Sequence, residues 1–231
     1  MEGSGLGTFV PGDASASPTE RSLPRFLLRY GRLTDVPALV RMYRAQSPAS
    51  RGFYHPFPFD PVRLALVYLW LISARRLLRT AIGVLPQSAA ILLVVVPAGQ
   101  SRPIGYGTVR YVPSRSTGTW VKFGYLVEEG YRGLGLGGSL AYRLMQKAVE
   151  SGIYLGGGAL LATNVPNLNL VRKLGFSPEG PVAPDREAPR ATNLFARADL
   201  REILQRIDAG ATPPVSRRAI VEFEGRPPSR S

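Results

Sequence analysis

Apolar positions recur along the chain with two periods, about two and about 3.6 residues, and the switches between them mark out the elements. The run "RFLLRYGRL" (Arg25 to Leu33) predicts a strand. "TDVPALVRMYRAQ" after it predicts a helix capped by Thr34, with Asp35 and Pro37 in its first turn. "VRLALVYLWLISARRLLR", from Val62, is apolar nearly all round and predicts a second helix, with Arg75, Arg76 and Arg79 placed late to suit its C-terminal dipole. Three β-rich runs follow, "AAILLVVVP", "PIGYGTVRYV" and "GTWVKFGYLVEE", separated by the turn segments "AGQSR" and "PSRST"; they predict an antiparallel meander. Beyond them come a helix from Gly137 to Ser151 stopped by Gly152, a strand over Leu155 to Thr163, a short helix from Val165 to Leu174 ended by Gly175, and a strand over Asn193 to Ala198. The order is β-α-α-β-β-β-α-β-α-β, an α/β chain of the α+β kind with a mixed sheet and no internal repeat.

The flanks lack such periodicity. Residues 1–22 are rich in Gly, Ser and Pro and residues 209–231 in Pro and Arg, so both read as tails around one domain at 23–208. The segment "SRGFYHPFPFDP" (Ser50 to Pro61) holds three prolines, four aromatics and the only histidine, and reads as a long loop. Residues 80–99 are uncharged, but Gly83, Pro86, Gln87, Ser88 and Pro97 interrupt them, which argues against a membrane span. The acidic second residue and the absence of a continuous apolar stretch argue against a secretory signal.

Composition sharpens this only in places. With no cysteine, disulfides, thiolate metal sites and a cysteine nucleophile are excluded, and a cytoplasmic location fits. The formal charge is +13, and all but three of the 29 basic side chains are arginine. Such a surface favours an anionic cofactor, nucleic acid or a membrane surface, and charge alone does not choose among them. "RRLLR" and "SRR" lack interleaved aromatics and any reading motif, which disfavours nucleic acid as the partner.

The candidate chemistry is concentrated in "YRGLGLGGSLAYRLMQKA" (Tyr131 to Ala148). Glycines ahead of a helix let unpartnered backbone amides approach an anion at the positive end of the dipole. Gly133, Gly135 and Gly138 satisfy G-x-G-x-x-G, but the turn follows a meander, and "GGGALLATN" stands where a dinucleotide fold wants an acidic residue. A phosphate-binding Walker loop fails as well, because Ser139 follows Gly138 directly and the lysine is missing.

What remains is a strand, a glycine turn, a helix, a strand and then "NVPNLNLVRKLGF". Here the chain resembles the GNAT superfamily of acyl-CoA-dependent N-acetyltransferases. Arg132, Gly133, Gly135 and Gly137 fall on that family's pyrophosphate pattern R/Q-x-x-G-x-G/A. Asn164, Leu170, Lys173, Gly175 and Phe176 match its next signature in register. The likeness spans roughly residues 25–200 and is specific from about Tyr125 to Phe176. It departs at Asn167, where a small residue is usual, and at Val171, where many members carry the tyrosine thought to protonate the leaving thiolate.

The resemblance implies acetyl-CoA as co-substrate, with no metal, and an amine of a small molecule or peptide as acceptor. A chain this basic argues against a polycationic acceptor. It implies a monomer or homodimer. Arg132, Gly133, Leu134, Gly135, Leu136, Gly137 and Gly138 would hold the pyrophosphate, Val127 would pair with pantetheine through its backbone, and Asn164 would lie beside the cofactor. An amine attacks only when neutral, so His55, Tyr125, Glu128 and Glu129 are the candidate bases. A noncatalytic acyl-CoA-binding module is the alternative, favoured by Val171.

Overall fold

The computed structural model describes residues 23–52, 60–81, 91–112, 120–181, 193–210 and 219–224. Its elements are β1 (Arg25–Tyr30), α1 (Val36–Ala45), α2 (Pro48–Gly52), α3 (Pro61–Ala81), β2 (Ile91–Pro97), β3 (Gly105–Val112) and β4 (Trp120–Val127). There follow α4 (Leu136–Glu150), β5 (Leu155–Leu161), α5 (Val165–Lys173), β6 (Ser177–Pro181), β7 (Asn193–Asp199), α6 (Leu200–Asp208) and β8 (Ile220–Phe223). The strands form one mixed sheet of eight, in the order β6-β7-β5-β4-β3-β2-β1-β8. The meander β2-β3-β4 is antiparallel, as the runs predict, and so is the pairing of β1 with β2; β4 meets β5 in parallel.

The sheet is covered on both faces. β2 shows why its sequence is a continuous apolar run: Ile91, Leu93 and Val95 belong to one core with α4, α5 and α6, whereas Leu92, Val94 and Val96 belong to the other with α1 and α3. A strand buried on both faces cannot alternate with polar residues. Buried Leu64, Tyr68, Leu71 and Ile72 fix the face that α3 turns to the sheet.

Several predicted boundaries move. The first strand stops at Tyr30, and Leu33–Asp35 form a 3-10 turn leading into α1, so Thr34 is not its cap. Asp35 stands at that junction instead, accepting from the Arg32 amide at 2.7 Å and gripped by buried Arg29 at 2.7 and 2.8 Å. The expected loop from Ser50 begins as the end of α2. The strand expected to run to Glu129 ends at Val127, and Glu129–Tyr131 form a 3-10 turn.

Four elements were not expected, α2 at the start of the segment read as a loop and three beyond α5. β6 contains two prolines, α6 lies directly after β7, and β8 falls in the segment read as a tail. β8 corrects the domain boundary at 208: it pairs in parallel with β1 from Arg25↔Ile220 to Leu28↔Phe223. Its Phe223 ring lies 6.0 Å from that of Tyr30 and under the Arg143 guanidinium of α4, 3.9 Å from the ring centre. Among the described residues no helix is long and apolar enough to cross a membrane.

Candidate active site

The two central strands part company early. β4 pairs with β3 along its whole length, to Val127↔Gly105, but with β5 only at Val121↔Gly156 and Lys122↔Gly157. From Phe123 onward one edge of β4 therefore faces an open gap. Peptide groups alternate in direction along a strand. Because the Glu128 amide donates to Ile104 on the β3 side at 2.8 Å, the N–H and C=O of Val127 point the other way, into the gap.

After the turn that starts at Glu129, the chain enters α4 through two left-handed glycines, Gly133 at φ 77° and Gly135 at φ 81°. L-residues with a Cβ adopt that region only under strain. Gly135 is the N-cap and supplies no side chain to the first helical amides, so the start of α4 presents backbone N–H groups without a side-chain cap. Gly138 lies in that same first turn. Leu136 is buried and Leu134 packs against the core, so these two anchor the turn while its backbone stays accessible. Gly137 has a packing use as well: a Cβ there would lie 3.3 Å from Leu170 Cδ2 and 3.8 Å from the Tyr125 ring, so its missing side chain lets α4 approach α5 and β4.

Tyr125 stands on β4 beside the open gap, half-buried, and its hydroxyl donates to Asn167 Oδ1 on α5. Asn164 is the N-cap of α5, accepting from the Asn167 amide at 3.2 Å. Val171 is buried in the core of the same helix. Tyr125, Asn164 and the glycine turn are thus brought to one end of the β4–β5 opening.

The two glutamates after β4 are spoken for. Arg102 grips Glu128 with both guanidinium ends, at 3.2 and 2.9 Å. Glu129 accepts from the Ser47 amide at 3.1 Å and the Ser50 hydroxyl at 2.7 Å. Hydrogen bonding from Ser47, then from Ser50, with the Arg132 charge assisting, holds its carboxyl down at about 2. Arg132 itself reaches back to the α1–α2 link and to Val127. Gln46, Ser47 and Ser50 are therefore part of this region, and no motif in the sequence marks them. His55 lies outside the described residues.

A family model described as the acetyltransferase (GNAT) family matches residues 51–176, more than half of the chain. The chain belongs to the GNAT acetyltransferase family. Among solved structures it is similar to yncA, a putative acetyltransferase from Salmonella typhimurium with its cofactor acetyl-CoA, at 20% identity and TM-score 0.59 over 76% of this chain and 94% of that one. It is similar also to Mycobacterium smegmatis RimJ in complex with CoA-disulfide, at 19% identity and TM-score 0.61 over 80% and 88%. The ribosomal-protein-S5-alanine acetyltransferase from Vibrio fischeri shares 15% identity at TM-score 0.58, over 74% and 91%. No curated protein matches the chain. As a GNAT chain it keeps the glycine turn and the parted strands, and it seats Val171 in the core where many members carry a tyrosine.

Proposed function

We propose that this GNAT protein transfers the acetyl group of acetyl-CoA to a primary amine of a small molecule or peptide. The observation that carries the reading is the opening of β4 from β5 at Phe123, directly ahead of an uncapped, glycine-built helix start. The solved structures of similar fold that hold acetyl-CoA and CoA-disulfide support it.

The residues fit the co-substrate by charge and shape. Backbone amides of the Gly133–Gly138 turn would hold the pyrophosphate at the positive end of the α4 dipole, where anions are favoured. The gap-facing edge of β4 offers the Val127 N–H as a fixed donor, and a donor placed where negative charge develops lowers the barrier. Acetyl-CoA, when bound, supplies an activated thioester carbonyl.

Proton handling falls to few groups. A lysine-like amine, with a pKa near 10.4, costs roughly 4 to 5 kcal/mol to neutralise at pH 7, whereas an α-amine near 8 costs only about 1.4 kcal/mol. Glu129, held at about 2, is too weak a base for either, and Glu128 is committed to Arg102. The base is then His55 or solvent. Tyr125 is the phenol that stands at the gap, and it takes the role of acid toward the departing thiolate that Val171 cannot fill.

Val171 also favours a second reading, a noncatalytic acyl-CoA-binding module. Thiol release from acetyl-CoA across a panel of amines separates the two. Amine-dependent release of CoA is expected. Tight acetyl-CoA binding with no release above the solvent rate, for any amine class, contradicts the enzyme reading.

A further inference from the structure

The motif position of Arg132 implies a phosphate contact, but all three guanidinium nitrogens have protein partners. Nε donates to the Val127 carbonyl at 3.2 Å, Nη1 to Ser50 Oγ at 3.0 Å and Nη2 to Gln46 Oε1 at 2.6 Å, with Glu129 Oε1 3.7 Å from Nη1. Gln46 and Ser50 are both buried, and the Gln46 amide is oriented by its own donation to the Met42 carbonyl at 3.1 Å. Turning Arg132 outward to an anion would strip Gln46 Oε1 of its donor inside the protein, which is costly for a buried polar atom.

We infer that Arg132 is a positioning residue that fastens the link between α1 and α2 to the end of β4. The inference rests on the reading above, in which the Val127 N–H faces the thioester, and adds to it that the segment after α1, fastened beside that edge, borders the acceptor. One fork holds the carbonyl of Val127, whose peptide edge faces the gap, and the buried side chains of Gln46 in the link and Ser50 in α2, so it sets the distance between donor and acceptor sides. Glu129 completes the fastening from the same turn by accepting from Ser47 and Ser50. A planar guanidinium spans three acceptors in this way; an ammonium is a point charge and does not, although it serves a phosphate well.

That difference defines the test. In ligand-free protein, Arg132→Lys and Gln46→Ala should each speed amide exchange over residues 46–52 by about tenfold or more, the scale of losing a charge-assisted hydrogen bond. Calorimetry should find their acetyl-CoA affinity within about threefold of the parent, because backbone amides carry the phosphate contact. With the amine that releases thiol fastest, KM for the amine should rise while KM for acetyl-CoA holds. Parent-like exchange in both variants, or an acetyl-CoA affinity at least tenfold weaker in Arg132→Lys with Gln46→Ala unaffected, overturns the inference. Exchange needs no ligand, so a parent that fails to bind acetyl-CoA would sink the functional reading while the fastening is still decided.

Discussion

The hydroxyl of Tyr125 on β4 donates to the side-chain carbonyl of Asn167 on α5, joining the two elements beyond the last pair that β4 makes with β5. The bond holds a phenol beside the part of β4 that β5 does not pair with, and on α5 the family's usual tyrosine position is a buried valine. Tyr125→Phe should therefore lower kcat by about a hundredfold or more, the lower range for a lost proton donor, with KM for acetyl-CoA little changed. Asn167→Ala keeps the phenol and should cost about 1 kcal/mol of stability, with most of kcat retained. Thiol-release kinetics and urea titration read the two effects; unchanged kcat in Tyr125→Phe would make the tyrosine a packing residue.

Gly137 tests the approach of α4 to α5. Gly137→Val places branched methyls where even a Cβ would lie 3.3 Å from Leu170 Cδ2. Overpacking of this kind costs about 1 to 3 kcal/mol, and urea denaturation should show it as a lowered midpoint at constant slope.

Glu129 gives a signed dependence on pH. Its carboxyl lies at about 2 in the folded protein against 4.5 unperturbed, chiefly through Ser47 and then Ser50. A depressed folded value means that its contribution is complete above about 4.5 and fades as pH falls from there toward 2. Exchange protection over residues 46–52, corrected for the intrinsic pH dependence of amide exchange, should fall across that window in the parent. In Glu129→Gln the same segment should exchange faster already at pH 6 and change less below it.

The last described strand, β8, should matter to α4. Phe223 sits between Tyr30 on β1 and Arg143 on α4, so Phe223→Ala should cost about 1 to 2 kcal/mol, less than a fully buried ring because it is only half covered. Removing residues 211–231 takes away the β1–β8 pairing as well and should lower the melting temperature further. Thermal unfolding of the two variants checks the order.

The parts of the fold that came from the sequence were those whose local signal agrees with their tertiary use. The meander reads out because β2 is apolar throughout and turn residues flank each strand, and α4 reads out from the glycines ahead of its apolar face. β8 was hidden because four residues, "IVEF", amid Pro and Arg, carry no strand signal until β1 offers an edge. β6 was hidden by its two prolines. At the site, the glycine turn ahead of α4 was legible from motif spacing. The Arg102–Glu128 and Arg132–Gln46 contacts were not, since each joins residues far apart in the chain that no local pattern pairs. The packing use of Gly137 was hidden for the same reason: its neighbour Leu170 is visible only once α4 and α5 are packed.

The central claim is that the turn ahead of α4 holds the pyrophosphate of acetyl-CoA through its backbone, and Gly135 tests it most directly. At φ 81° an aspartate is strained there, and its carboxylate would face the phosphates. Calorimetric titration of acetyl-CoA should show saturable binding to the parent and a loss of about a hundredfold or more in Gly135→Asp, about 2.7 kcal/mol, with the variant still folded by circular dichroism. Equal affinity of the folded variant and the parent would contradict the account.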